Sequence, residues 1–250
     1  DIGDVPSGNY ELIVEVRNRL NELLSQEAVF FQRSNPFLNA ERIELAEVPL
    51  ENEFVQRLTP EELEYSLRAL TPKVSQADMD HLNAILAKEN VDAQRLFLFS
   101  YWTQQDPNQP IIAYEDYMQV VKAVNNEFKS GFRHGFETDR GFYYLKYGQP
   151  DDITRVIDDP SAPPYEIWSY NDFPYTQQTN VRFVFYNPSL AGGDFILLHS
   201  TARGELNNPQ WQVELYRRNA PNQIQGADYI NATEMQDNWG RRAGRNFIDY

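Results

Sequence analysis

The character of the chain changes at one short stretch, which reads Gly135-Phe136-Glu137-Thr138-Asp139-Arg140-Gly141. Before it, residues 40–130 carry helix-start signals and apolar residues at helical spacing. After it, residues 131–217 carry short alternating segments separated by turn residues. Apolar residues three and four apart line one side of a helix, whereas alternation is typical of a half-buried strand. We therefore predict an α+β fold in which 135–141 joins a helical middle region to a C-terminal antiparallel β-meander.

The helical region is predicted from its start and stop signals. Thr59-Pro60-Glu61-Glu62 combines a capping hydroxyl, a proline at the first helical position and acids in the first turn. Ser75 and Asp92 are placed to cap the next two helices. A fourth helix is expected from about Ile112 to Lys129, with Gly131 at its C-terminal end.

The sheet is predicted from three alternating segments, Tyr165–Tyr170, Val181–Tyr186 and Asp194–His199. Turns between neighbouring segments favour antiparallel pairing. The aromatic run from Gly141 to Tyr147 is also β-prone by composition. Residues 218–250 are interpreted as a polar tail, either a docking arm or a frayed terminus.

The first 36 residues predict a β-hairpin. Apolar residues alternate with charged ones from Tyr10 to Arg17, and Ala28–Phe31 would be the returning strand. Because two strands alone are marginal in water, their apolar face needs a cover. We expect the hairpin to be the remnant of a preceding β-sandwich-like domain, or to dock on the rest of the chain.

Composition argues against several classes of function. The 250 residues include 37 acidic and 22 basic side chains, and the net charge of −15 repels nucleic acid. The lack of cysteine rules out thiolate nucleophiles and cysteine-ligated metals. No segment approaches the roughly 20 apolar residues that span a bilayer, so no transmembrane segment is expected. Phosphate-loop and dinucleotide motifs are also missing, and we expect no cofactor.

Several motifs in order along the chain carry a resemblance to one family. The stretch Gly135–Gly141 resembles the signature of the GWxTD-domain family, with Phe136 in place of the name-giving tryptophan. Further similarity lies at Tyr147–Ile153, at Tyr165–Trp168 and, towards the C-terminus, at His199-Ser200-Thr201 and Gly204-Glu205. Replacement of tryptophan by phenylalanine removes an indole N–H donor but keeps a ring that can pack.

The resemblance implies a location rather than a reaction. The family is found mainly in Bacteroidota and Acidobacteriota and looks like exported or lipid-anchored envelope protein. It implies an extracytoplasmic place, in the periplasm or at the outer membrane. The order of motifs and strands is also similar to small outer-membrane assembly lipoproteins of the SmpA type, which suggests a protein partner such as an outer-membrane complex.

The polar residues of the signature allow both a chemical and a structural interpretation. Asp139 could be a general base or a metal ligand. It could equally cap backbone N–H groups while Arg140 pairs with a carboxylate and Gly141 takes a positive φ. Paired with Glu166 or Glu205, Asp139 could also form a glycosidase-like acid pair, which only geometry can test.

The C-terminal motif contains an imidazole beside two hydroxyls, His199-Ser200-Thr201. Adjacent strand residues point to opposite faces, so His199 is poorly placed as a base for Ser200. We expect these side chains to satisfy backbone groups at the strand end. The acid pairs at 151–152 and 158–159 lack EF-hand spacing, and no metal site is predicted.

The absence of a catalytic motif favours a non-enzymatic binding or scaffolding module that engages protein partners in the cell envelope. The alternatives are a carboxylate-based glycan hydrolase and a carbohydrate-binding module whose platform would include Trp168. Such rings are more often core, and an exposed edge of the meander could instead accept a partner's strand.

Overall fold

The computed structural model describes residues 8–17, 21, 23–33, 50, 53–87, 90–131, 133–189, 194–216 and 242–249. The chain divides into two compact units, Asp1–Met118 and Gln119–Tyr250. The boundary between them falls inside one helix, Pro110–Phe128, and the two units are described separately. Within the described residues, no helix is long and apolar enough to cross a membrane.

The first unit begins with the predicted hairpin. Strand β1 (Gly8–Arg17) pairs antiparallel with β2 (Leu23–Arg33), and Leu12 lies directly opposite Val29. Directly opposite residues share a face of an antiparallel pair. The hairpin is therefore confirmed, while its interpretation as the end of a sandwich-like domain stays a prediction. Residues 34–36, the end of the predicted hairpin segment, lie outside the described residues.

Four helices follow the hairpin: α1 (Pro60–Ala69), α2 (Gln76–Ala87), α3 (Val91–Gln105) and α4 (Pro110–Phe128). A short 3₁₀ turn at Phe54–Arg57 precedes them. Thr59 caps α1, because its Oγ1 accepts from the Glu62 N–H while the Glu62 carboxylate accepts from the Thr59 N–H. The Ser75 cap is also confirmed, since Oγ accepts from the Asp78 N–H.

The predicted capping residue of α3 was wrong. Asn90, and not Asp92, caps α3, with Oδ1 3.2 Å from the Ala93 nitrogen. Asp92 lies inside the first turn, where its charge favours the helix dipole. The α1, α2 and α3 helices and the 3₁₀ turn bury a common core, which includes Leu63, Leu67, Leu82, Phe97, Leu98 and Trp102.

The second unit contains a four-stranded antiparallel sheet. Its strands are β3 (Asp152–Val156), β4 (Tyr165–Phe173), β5 (Gln178–Tyr186) and β6 (Ile196–Ser200), in the order β3-β4-β5-β6. The three predicted strands are confirmed, and the meander order follows the chain. Strand β3 is an additional edge strand that was not predicted from the sequence.

The aromatic run at 141–147 is helical, and its β-prone interpretation was wrong. Helix α5 covers Asp139–Tyr147 and starts at the Thr138 cap. Tyr143 and Tyr147 are four residues apart, so both rings reach the sheet from one side of the helix. Tyr143 lies 5.2 Å from Phe183, and Tyr147 lies 4.7 Å from Phe173, between ring centroids. This packing outweighs the weak β-propensity of isolated aromatic residues.

The sheet is covered on both faces. Trp168, Phe183 and Phe185 lie on the face that packs against α5. The other face carries Tyr165 and Ile167 and packs against α6 (Trp211–Tyr216) and α7 (Ala243–Asp249). Helix α7 belongs to the predicted tail, and the described part of that tail therefore docks on the sheet; residues 217–241 lie outside the described range.

Candidate functional site

The two glycines of the signature permit backbone-to-backbone contact. A Cβ at Gly141 would lie 1.9 Å from the Gly135 carbonyl oxygen, and a Cβ at Gly135 would lie 2.6 Å from the Val124 oxygen on α4. Cβ contacts under 3.0 Å do not occur in real structures, so neither position accepts a side chain without displacement. The prediction of a positive φ at Gly141 was wrong, because the described glycines with positive φ are Gly131, Gly148 and Gly204.

Thr138 and Phe136 hold the turn before α5. Thr138 Oγ1 donates to the Gly135 oxygen at 2.6 Å and accepts from the Gly141 N–H at 3.2 Å. Phe136 is 2% exposed and stacks on the His134 ring at a centroid distance of 5.1 Å. The Phe136 ring therefore has a packing role. This role was predicted because phenylalanine keeps the aromatic ring and lacks the indole N–H.

Asp139 is bound to the edge of the sheet. Its Oδ2 accepts from the Leu197 backbone N–H in β6 at 2.7 Å. The structural interpretation predicted that this carboxylate caps backbone N–H groups, and the contact is of that kind. The acceptor for the helix cap itself is Thr138 rather than Asp139.

Arg140 enters a buried ion-pair cluster with Glu166. Its Nη1 donates to Glu166 Oε1 at 3.0 Å, and the two side chains are 10% and 5% exposed. Arg155 Nε also donates to Oε1, and Trp168 Nε1 donates to Oε2 at 3.0 Å. The Arg140 guanidinium lies over the Phe195 ring at 4.2 Å, within cation–π range.

This cluster has a defined electrostatic state. Burial lowers the pKa of Arg140, while the neighbouring Glu166 carboxylate acts in the opposite direction. A guanidinium stays protonated in proteins, so Arg140 brings a buried positive charge to the Glu166 side chain. Trp168 is fully buried and points its indole N–H at this carboxylate, and its ring is part of the core rather than a surface platform.

Glu205 forms a second carboxylate cluster, on the C-terminal half of α5. Lys146 Nζ lies 2.6 Å from Oε1, Tyr143 Oη donates to Oε2 at 2.8 Å, and Tyr147 Oη also donates to Oε1. Burial alone would raise the pKa of Glu205, but the hydrogen bonds from Lys146, Tyr147 and Tyr143 bring the pKa below its usual value. Burial raises the pKa of Tyr143 and of Tyr147, so both remain donors at neutral pH.

The His199-Ser200-Thr201 motif satisfies backbone groups, as predicted. His199 Nδ1 accepts from the Asn208 N–H at 3.1 Å, Ser200 Oγ accepts from the Ala202 N–H, and Thr201 Oγ1 accepts from the Arg182 N–H. Burial lowers the pKa of His199. With Nδ1 as an acceptor, the neutral ring carries its proton on Nε2. The ring stacks on Trp211, and the Ser200 hydroxyl is engaged by Ala202 rather than by the imidazole.

A family model for the GWxTD domain matches residues 35–215. The chain belongs to the GWxTD-domain family. No curated protein and no solved structure matches it significantly.

The fold brings some residues of the family motifs together and keeps others apart. Arg140 and Trp168 meet at Glu166, whereas Asp139 binds β6 and Glu205 binds the far half of α5. The three carboxylates thus have three separate sets of donors. Among the described residues, no group of three or more metal-ligating side chains could hold an ion.

The donors to Glu205 were not predicted from the sequence. Lys146 and Tyr147 lie three and four residues after Tyr143, which places both of them next to Tyr143 on one helix surface. This spacing groups the three side chains only if the segment is a helix. Because the segment was predicted to be a strand, the group was missed.

Proposed function

We propose that this GWxTD domain is a non-enzymatic binding or scaffolding module of the bacterial cell envelope that engages protein partners. The observation that carries the proposal is the structural use of three carboxylates in the family motifs, those of Asp139, Glu166 and Glu205. Asp139 accepts from a strand N–H, Glu166 accepts three N–H donors, and Glu205 is held by a lysine and two tyrosines. A catalytic acid or base needs to face a reacting atom. These groups instead fix the position of α5 on the sheet.

A protein partner is supported by the exposed face of the β1–β2 hairpin. Leu12, Val14 and Val16 in β1 and Val29 in β2 are between 53% and 59% exposed. Leu12 and Val29 are direct partners, so the apolar residues are adjacent on one side of the ribbon. Contiguous apolar surface of this kind marks interaction sites. The opposite side carries the ion-paired Glu15 and Arg17 together with the exposed Ile13 and Phe30.

The envelope location rests on family membership together with the resemblance to exported and lipid-anchored proteins. The acidic net charge of −15 fits a module that avoids nucleic acid and anionic surfaces. Cysteine is absent, so the fold needs no disulfide and is compatible with an oxidising compartment.

A partner-capture experiment with matched hairpin variants tests the proposal. The full-length protein, cross-linked in its native envelope, should recover one stoichiometric partner. Leu12→Glu and Val29→Glu should abolish that recovery, because each places a charge on the apolar face. Gln26→Glu adds the same charge on the opposite face, across from Glu15, and should leave recovery unchanged. Equal recovery with all three variants would contradict a role for this face, and no recovery at all would contradict the function.

The hydrolase alternative has its own test. We expect the purified protein to release no product from peptidoglycan or polysaccharide, and Asp139→Asn to change only stability. Glycan cleavage that disappears in Asp139→Asn, in a protein that keeps its hydrogen-exchange protection in α5, would establish an enzyme instead.

A further inference from the structure

The sheet of the second unit has two edge strands, β6 and β3, and their outer backbone groups differ in their hydrogen bonding. At β6, the Asp139 carboxylate accepts the Leu197 N–H at 2.7 Å, and the Leu206 carbonyl accepts the Ser200 N–H at 2.7 Å. These contacts occupy the backbone groups that another strand would need. The β6 edge is therefore closed by the signature residue itself.

The β3 edge is open in the part of the chain that the structure describes. Strand β3 pairs with β4 on one side, and no described strand lies on its other side. An edge strand directs alternate N–H and C=O groups outward, and these are a template for pairing with another chain. Proteins commonly protect such an edge with proline, lysine or a bulge. Strand β3 contains neither residue, and its pairing with β4 has a continuous register.

Arg155, the one charged side chain in the middle of β3, does not guard the edge either. Its Nε donates to Glu166 Oε1 at 3.1 Å, and its Nη2 lies 3.5 Å from Glu127 on α4. The guanidinium is thus directed to the α5-side cluster of the sheet. An approaching strand would not have to displace a free charge.

The ends of β3 show what would fit there. Ile157, directly after the strand, is 80% exposed, the highest value among the large apolar side chains that the structure describes. Asp152 at the start is exposed, and the Asp158 side chain after Ile157 is 82% exposed, with only a long contact of 3.9 Å from its Oδ1 to Arg242 Nη2. An acid therefore stands at each end of this short segment, and the one charged side chain between them, Arg155, is paired with Glu166. Charges of this kind favour basic residues on a partner and repel a second copy of this acidic chain.

We propose that the outer edge of β3 accepts an extended segment of a partner polypeptide as a fifth strand, with lysine or arginine at both ends of that segment. Main-chain hydrogen bonds would supply affinity, and the apolar Ile157 and the two acids would supply specificity. The inference rests on the proposed function as a protein-binding module. It uses a surface in the second unit, whereas the hairpin lies in the first, so the two surfaces can be tested separately.

The test uses two synthetic nine-residue peptides with the same alternating threonine and valine centre. One peptide carries two lysines at each end, and the other carries two glutamates. We expect the lysine-ended peptide to bind the full chain and to slow hydrogen exchange in residues 152–157. Strand pairing uses only alternate amides of the peptide. N-methylation of one alternate set should therefore abolish binding, and N-methylation of the other set should be tolerated.

Charge variants provide a matched control that leaves the fold intact. Asp152→Asn and Asp158→Asn should each weaken binding of the lysine-ended peptide by about 1.4- to fivefold, since exposed ion pairs are worth roughly 0.2–1 kcal/mol. Asp80→Asn and Asp92→Asn remove exposed acids in the first unit and should have no effect.

Three results would overturn the inference: no binding of the lysine-ended peptide, equal tolerance of both N-methylated sets, or protection outside β3. None of these results would contradict partner capture that depends on Leu12 and Val29. Only the inference about the β3 edge would then be wrong. Loss of hairpin-dependent capture with intact peptide binding would instead remove the hairpin's role and leave the β3 edge standing.

Discussion

Substitution of Gly141 by alanine tests whether close backbone approach explains the signature glycines. The added Cβ would lie 1.9 Å from the Gly135 oxygen, 2.7 Å from the Gly135 carbonyl carbon and 2.8 Å from the Phe136 Cα. Real Cβ atoms stay beyond 3.0 Å, so the two backbone segments would have to separate by about 1 Å or more. The atoms in contact are backbone, and no flexible side chain can move aside to make room.

The expected loss of unfolding free energy follows from the contacts that this separation of the backbone segments would break. Overpacking costs about 1–3 kcal/mol. The two hydrogen bonds of Thr138, to the Gly135 oxygen and from the Gly141 N–H, contribute about 1 kcal/mol each. Alanine is the better helix former and returns up to about 1 kcal/mol. We expect Gly141→Ala to lower the free energy of unfolding of the second unit by roughly 2–4 kcal/mol.

Hydrogen exchange within α5, at residues 139–147, is the assay, because it reports on the second unit alone. Gly131→Ala is the matched control. Gly131 has a φ of 54°, and no atom lies within 4 Å of the place that an alanine methyl would take, so only left-handed strain of about 1–2 kcal/mol applies. Protection of α2 in the first unit should be the same in both variants. If Gly141→Ala exchanged no faster in α5 than Gly131→Ala, the close-approach explanation would be refuted.

The remaining predictions concern the two carboxylate clusters. Because the pKa of Glu205 is lowered in the folded state, its contribution to stability is present above the unfolded pKa of about 4.3 and is lost as pH falls through the folded value. Urea midpoints of the wild type and Glu205→Gln should differ by a constant amount from pH 7 to 5 and converge below about pH 4; a difference that widens towards acid would contradict this sign. Glu166→Gln leaves Arg140 buried without its counter-charge and should cost about 3–5 kcal/mol in denaturant unfolding. Adding Arg140→Met should recover part of that loss, and additive losses in the double-mutant cycle would show that the pair is not coupled.

The sequence predicted helices and strands well where the residues that determine an element lie within that element or next to it. The capping box at Thr59 and the cap at Ser75 depend on residues three apart, and both are confirmed. The strands β4 and β5 show alternation over their own length, and the sheet order follows the chain. The error at α3 was a choice between Asn90 and Asp92, two good capping residues that stand two positions apart.

The site was harder to predict because its residues act over long separations. Arg140 and Glu166 are 26 residues apart, and Lys146 and Glu205 are 59 apart. A carboxylate partner for Arg140 was expected from the sequence, but local patterns do not say which of many acids it is. Strand β3 was missed because its five residues have no clean alternation, and its pairing with β4 defines it.

The amino-acid sequence by itself determined the α+β class, the hairpin, the helical middle region and the structural character of the His199–Thr201 motif. Those features depend on periodicity, capping and turn chemistry, which act between neighbours in the chain. Only the tertiary structure decided that 139–147 is a helix, that Gly141 contacts the backbone of Gly135, and that Asp139 closes one edge of the sheet while no strand of the described residues pairs with the other edge, at β3. The physical reason is that these outcomes depend on which surface each segment meets after folding, and contact between distant segments outweighs the modest propensities of the residues themselves.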